Sequence, residues 1–156
     1  MKKMILLSAV PGAGKSTWAE KYKKNHLNTF IVSSDEIRKE LGGSYKYFAE
    51  EEKVWKLFIE RANSYLNFPL DNLTVILDST LMNDYYREYY LKNTSGFDFH
   101  SLVFIDVPFD VAKERNVERI EDKVVPEEVL IRMYHDFERP SDRVISLFDS
   151  YQIIKI

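Results

Sequence analysis

Five short apolar runs punctuate this chain: Met4–Ser8, Thr29–Ser33, Leu73–Leu77, Ser101–Asp106 and Tyr151–Ile156. They are continuous rather than alternating, the pattern of parallel strands covered on both faces. Between them, apolar positions recur three and four apart and predict helices at about 15–25, 35–41, 47–67, 83–93, 110–118 and 127–138. Trp55, Phe58 and Tyr65 form the core stripe of the longest one. Gly42-Gly43 reads as a helix stop. Asn83 and Asp110 read as N-caps, and Pro126-Glu127-Glu128 as a helix opening. The charged stretch 119–126 has no structural signal of its own and reads as a mobile lid within a region of about 115–127. Strands alternating with helices, without repeats or linkers, predict one α/β domain over 1–156.

The first run leads directly into Pro11-Gly12-Ala13-Gly14-Lys15-Ser16-Thr17. A buried strand, a glycine turn and a helix opening in that order are the form of a P-loop. A helix start leaves about four N–H groups without intrahelical partners, and the positive end of its dipole faces the same bend. An anion is stabilised there. Gly12 and Gly14 let the backbone approach phosphate oxygens, with Ala13 between them. Lys15 is placed to reach the β- and γ-phosphates of a nucleoside triphosphate, and Ser16 to offer a hydroxyl to Mg²⁺. Thr17 caps or packs in the first turn. The usual pattern has glycine where this chain has Ala9, leaving Pro11-Gly12 to supply the turn.

Composition narrows the class. The formal net charge of −3 argues against a surface that coats nucleic acid, while leaving room for a local basic slot. With no cysteine, disulfides, thiolate-held zinc and thiol catalysis are excluded, which is compatible with a reducing cytoplasm. Met1-Lys2-Lys3 and the apolar run after it superficially resemble a signal peptide, but the run is short and continues into the phosphate loop, so it reads as core strand. No segment approaches the roughly 20 apolar residues of a membrane span.

Three more clusters fall just past strand ends, where such folds bind ligands. After the second strand, Asp35 and Arg38 share one face of a helix start. There a carboxylate can take a proton from an attacking hydroxyl and a guanidinium can clamp an acceptor phosphate. Otherwise Asp35 caps the helix and Arg38 is a surface residue. After the third strand, Asp78-Ser79 occupies the Walker-B position. Asp78 there holds Mg²⁺ or orients acceptor groups, unless it is a cap or turn residue. Before the lid, Arg115 and Arg119 lie four apart. They either neutralise transferring phosphate or pair with Glu114, Glu118, Glu121 and Asp122 on a solvated face. The tyrosines in Asp84–Tyr90 read as half-buried packing, with base stacking as the rival. His26, His100 and His135 lack metal-ligand spacing and read as surface or core polar groups. Lys46, Lys53 and Lys56 are candidates for backbone contacts if the long helix covers the acceptor.

Val10 to Ala19 closely resembles the P-loop of bacteriophage 5′-polynucleotide kinases. Asp35 and Arg38, Asp78-Ser79, Asp106-Val107-Pro108, Arg115-Asn116 with Arg119, and Val125-Pro126 follow in the same order at similar spacing, over nearly the whole chain. The resemblance implies that Lys15 and Ser16 bind the phosphates and Mg²⁺, and that Asp35 is general base on a 5′-hydroxyl. It implies that Arg38 clamps the 3′-phosphate of the terminal nucleotide, Asp78 supports the acceptor and Arg119 contacts donor phosphates. Two departures stand out: the resemblance is to the kinase domain without the phosphatase domain of the bifunctional phage enzymes, and the expected lid carries the acidic Ile120-Glu121-Asp122.

The expectation is therefore a P-loop NTPase fold of nucleoside-monophosphate-kinase-like architecture, with a five-stranded parallel sheet, the P-loop strand central and helices on both faces. Its expected cofactors are ATP, or another NTP, and Mg²⁺. The nucleotide-binding set is Gly12, Ala13, Gly14, Lys15, Ser16, Thr17, Arg115 and Arg119. Lys15, Asp35 and Arg119 are the catalytic candidates, Arg38, Asp78 and Ser79 the acceptor candidates, and Ser16 and Asp78 the metal candidates. The expected reaction is γ-phosphate transfer to the 5′-hydroxyl of a DNA or RNA end, in the cytoplasm and without a membrane partner. A kinase for a nucleoside, sugar or antibiotic hydroxyl is the alternative, favoured by net charge and lid. A nucleotide-binding switch without transfer is the second.

Overall fold

A computed structural model describes all 156 residues. Its strands are β1 (Lys2–Ser8), β2 (Thr29–Ser33), β3 (Leu73–Asp78), β4 (Phe99–Asp106) and β5 (Ser150–Lys155). Every pairing is parallel, in the order β2-β3-β1-β4-β5. The P-loop strand β1 is central, as expected. The chain moves outward from β1 to β2 and returns to fill β3, then crosses to β4 on the other side. The ends of β1, β3 and β4 thus surround a topological switch point, the place where open α/β sheets take ligands. Register brings functional positions together there: Ser33 lies beside Asp78, and Ser8 beside Phe104.

The continuous apolar runs behave as their pattern predicts. Met4 and Leu6 of β1 join one core with Phe58, Val75, Leu77 and Leu102, while Ile5 and Leu7 join another with Ile76, Val103 and Ile105. The first core is closed by α2 (Ser34–Gly42), α3 (Glu51–Ser64) and α4 (Asp84–Asn93), which contribute Ile37, Phe58 and Tyr90; the second is closed by α1 (Lys15–Asn25) and α5 (Phe109–Val117), which contribute Ala19 and Ala112. Two further helices, α6 (Glu127–Asp136) and α7 (Asp142–Ile145), lie between α5 and β5. No helix is long and apolar enough to cross a membrane.

Several boundaries differ from expectation. The helix expected from residue 47 begins at Glu51 and tightens to a 3₁₀ turn at Tyr65–Asn67. Gly43, with φ +81°, stops α2, and the Tyr47 ring lies where a Cβ on Gly42 would be. That contact folds residues 43–50 back before α3 can start. Asp110 is not an N-cap: the rigid Pro108 takes the cap, its carbonyl accepting from Val111 and Ala112, so Asp110 lies in the first turn. Helix α6 ends at Asp136, and Phe137 instead stacks on Phe104. The unforeseen α7 is capped by the Ser141 hydroxyl, which accepts from the Val144 N–H. In α4 only Tyr90 among the tyrosines is buried; Tyr85, Tyr86 and Tyr89 are exposed. His100 is a core polar group held by Thr94.

One buried cation ties the strand ends together. Arg87, wholly buried, donates to the Asp84 carboxylate (2.9 Å), the Ser8 hydroxyl (3.2 Å) and the Glu138 carbonyl, with its guanidinium over the Phe137 ring. Ser8 in turn donates to the Leu81 carbonyl at 2.7 Å, and Leu81 adopts an unusual positive φ of 43°. The loop after Asp78 is thereby fastened to the end of β1. Removing one partner of a buried, hydrogen-bonded charge leaves the others unpaired. Arg87→Leu should therefore lower unfolding stability by about 3 kcal/mol, seen as a lower urea midpoint; an unchanged midpoint would show that the knot carries no weight.

Candidate active site

Gly12 (φ +81°) and Gly14 (φ +97°) both occupy left-handed backbone, which glycine adopts without strain. A Cβ on Gly12 would collide with the Ala112 carbonyl oxygen, so α5 packs directly on the loop. Gly14 is the N-cap of α1 and brings no side-chain cap bond, which leaves the first-turn N–H groups directed at the bend. The capping expected of Thr17 thus falls to Gly14, and Thr17 itself is exposed. Ala13 is buried, and its carbonyl accepts from Arg115 Nη1 at 3.1 Å. Arg115 therefore lies over the phosphate loop rather than on a solvated face.

Lys15 folds back along the loop, with Nζ 3.4 Å from the Val10 carbonyl. Burial lowers its pKa below the ordinary lysine value, with the Asp78 charge pulling the other way. Asp78 ends β3 and is buried; burial raises its carboxyl, against the opposing effects of Lys15 and Ser16. Its Oδ2 accepts from the Ser16 hydroxyl at 2.8 Å. The cap of α4 is Asn83 rather than Asp78, which leaves the Asp78 carboxylate to the site. This hydroxyl–carboxylate pair presents adjacent hard oxygens beside the phosphate loop, a donor set that suits Mg²⁺, which is commonly held by one or two protein oxygens and nucleotide phosphates. Ser79 follows, also buried.

Asp35 and Arg38 enter from α2. The cap of that helix is Ser33, whose hydroxyl accepts from the Glu36 N–H, so Asp35 is free for other work. One Asp35 oxygen accepts from Arg38 Nη1 at 2.9 Å, and the other lies 4.0 Å from Arg119 Nη2. Burial depresses Arg119, with Asp35 and Asp78 opposing the shift. Arg38 is nearly buried, and its outer edge is fully engaged: Nε and Nη2 donate to the two Glu51 oxygens at 3.0 and 2.8 Å. Phe48 and Trp55 rings lie 5.3 and 5.2 Å from the guanidinium carbon. Burial works against its charge, but the carboxylates of Glu51 and Asp35 outweigh that and raise its pKa.

The segment 119–126, read from the sequence as a lid, is fastened to the body at several points. Buried Asn116 brackets its exit, donating to the Val125 carbonyl (2.6 Å) and accepting from the Val125 N–H (3.0 Å). A 3₁₀ turn at Glu121–Lys123 forms the tip. There the Asp122 carboxylate accepts from the Ser44 hydroxyl (2.5 Å) and the Tyr45 N–H (2.7 Å). Lys123 sits over the Tyr45 ring and lines a cleft of about 440 Å³ with Ser16, Glu36 and Asp78. Glu51 and Lys123 are the functional candidates that sequence reasoning missed. Neither carries a local motif, and both reach the site from distant segments.

The family profile of an AAA domain matches residues 4–140. The chain belongs to the AAA domain family. This AAA domain has the fold of kinase-like P-loop NTPases, as expected from its sequence. It is 27% identical over 151 residues to the L-seryl-tRNA(Sec) kinase of Methanococcus maripaludis, covering 90% of this chain and 54% of that protein. The AAA domain thus spans about half the length of this curated relative. Among solved structures, it is similar to a chain of the Pnkp1/Rnl/Hen1 RNA repair complex, with TM-score 0.74, 19% identity, and coverage of 95% of this chain and 46% of that one. A gluconokinase from Sinorhizobium meliloti 1021 gives TM-score 0.65 and 18% identity over 99% of this chain and 82% of its own. At these identities the likeness is one of fold.

The lid clasp is directly testable. The Ser44 and Tyr45 donors hold the Asp122 carboxyl below its ordinary value. A depressed carboxylate keeps its bonds at neutral pH and loses them only as pH falls through the lowered value. Asp122→Asn should therefore free the tip at neutral pH, with trypsin cutting after Arg119 or Lys123 several times faster. Equal cleavage rates would mean that the lid is held elsewhere.

Proposed function

We propose that this domain is a phosphotransferase that moves the γ-phosphate of ATP, or another NTP, to an alcohol hydroxyl. One observation carries the reading: Asp35 is held between Arg38 and Arg119 at the same strand edge as Lys15, Ser16 and Asp78. The phosphate loop N–H groups and Lys15 bind the triphosphate. Arg119, beside Asp35, neutralises the charge that develops on the γ-phosphate, and Arg115 holds the loop backbone. The acceptor oxygen gives its proton to Asp35 and bonds to the γ-phosphorus as the bond to the β-phosphate oxygen breaks, leaving the nucleoside diphosphate. The residues act by positioning and charge neutralisation. Ser16 and Asp78 would hold Mg²⁺, which spreads the charge of the phosphates when bound.

Two acceptor classes are supported by separate observations. The cleft beside Ser16 sets Glu20, Glu36, Glu40 and Asp78 against Lys23, Arg61 and Lys123, with Glu40 paired to Arg61; without a basic excess it favours a small molecule, such as a nucleoside, sugar or antibiotic hydroxyl, over a polyanion. The exposed Tyr85, Tyr86 and Tyr89 favour the 5′-hydroxyl end of DNA or RNA, since open aromatic faces stack bases. That second reading also agrees with the phage-kinase resemblance and with the fold shared with the RNA repair complex.

Labelled ATP and Mg²⁺ incubated with nucleosides, sugars, aminoglycosides and 5′-hydroxyl oligonucleotides should put label on one acceptor class; label appearing only in inorganic phosphate would overturn transfer. On the accepted substrate, Asp35→Asn should lower turnover by roughly 10²–10⁴ with little change in nucleotide affinity. A near-normal rate would remove Asp35 as the base.

A further inference from the structure

An arginine recognises phosphate through the edge formed by Nε and one Nη, which matches two oxygens of an anion at once. In this domain that edge of Arg38 already faces an anion. Both Glu51 oxygens accept from it, at 3.0 and 2.8 Å. The remaining donor, Nη1, is spent on Asp35 at 2.9 Å, with the Ser34 hydroxyl at 3.5 Å. The Phe48 and Trp55 rings also pack against the guanidinium. Four of the five guanidinium N–H groups thus have partners, including both that form the Nε–Nη2 edge. A phosphate seated there would have to expel Glu51 and then sit beside its displaced carboxylate and that of Asp35, three anions around one cation.

Glu51 is also well anchored. It stands in the first turn of α3, where the helix dipole favours a carboxylate. The next turn of the same helix supplies Trp55, so α3 brings both the carboxylate and one aromatic wall to Arg38. The start of α3 is set by the Tyr47 ring over Gly42, so α2 and α3 present Arg38 and Glu51 to each other as a built pair.

We propose that Glu51 is a specificity-determining residue of the acceptor site. It fills the anion-binding edge of Arg38 and limits acceptors to molecules with no phosphate beside the hydroxyl offered to Asp35. Arg38 then serves as a positioning residue for Asp35 rather than as a clamp on substrate. The inference rests on the hydroxyl-kinase reading and narrows it toward uncharged or cationic small acceptors.

Trp55 gives a probe that does not need turnover. The chain has two tryptophans, and Trp18→Phe leaves Trp55, beside Arg38, as the sole reporter. With the phosphate loop saturated by a non-hydrolysable ATP analogue and Mg²⁺, inorganic phosphate is titrated against Trp55 fluorescence. The protein with Glu51 intact should show little response. Glu51→Gln, which keeps the shape and removes the charge, should gain saturable binding at least about tenfold tighter, a difference of about 1.4 kcal/mol. Glu51→Ala should do the same, guarding against a local effect of the glutamine. Adding Arg38→Ala should abolish the gain. Equal phosphate affinity with and without the Glu51 charge, or a gain that survives loss of Arg38, would overturn the proposal. On transfer, Glu51→Gln should raise the kcat/KM ratio of a 3′-phosphorylated nucleoside over its plain nucleoside. Absence of transfer to every acceptor would sink the kinase reading alone, and the phosphate titration would still decide the role of Glu51.

Discussion

The site depends on how closely backbone meets backbone at Gly12. The Ala112 carbonyl of α5 occupies the space that any side chain there would need, and the glycine holds a left-handed conformation. This contact lets α5 lie on the phosphate loop, which puts Arg115 against the Ala13 carbonyl. It also aims the end of α5 so that Arg119 approaches Asp35 from the opposite wall. A bulkier residue at position 12 would push α5 outward and draw Arg115 from the Ala13 carbonyl and Arg119 from Asp35. The P-loop is thus both an anion cradle and the seat on which the lid-bearing helix rests.

A second constraint works below the cleft. Arg87 is a cation wholly buried in the fold, and its partners come from β1, α4 and the segment after α6. Burial favours its neutral form and lowers its pKa, while Asp84 opposes the shift. Satisfying such a group demands that all three segments meet in one arrangement. The loop after Asp78 inherits that rigidity through the Ser8 and Leu81 bond. Asp78 is therefore presented to Ser16 by a frame that packing and hydrogen bonds both define.

What could be read from the chain, and what could not, divides along sequence distance. The five strands and their parallel sense follow from unbroken apolar runs, and the central place of β1 from the phosphate loop and the kinase-like architecture it implies. Lys15, Ser16, Asp35 and Asp78 stand at element ends, where local spacing exposes them. Glu51 was hidden because its partner lies in another helix, across a turn shaped by Tyr47 on Gly42. Arg87 looked like one polar residue among tyrosines, since its bond to Ser8 spans 79 positions. The start of α3 and the Pro108 cap were misplaced because tertiary contact and proline stiffness overrode local propensity. The order of the lid depends on Asp122 meeting Ser44, 78 positions away, which no local pattern encodes.

That last contact links two compartments. Asp122 grips the turn between α2 and α3, the same turn that leads into the helix bearing Glu51 and Trp55. The 3₁₀ turn and the start of α3 therefore hang from one short loop, and neither can shift without straining the Ser44 and Tyr45 bonds to Asp122.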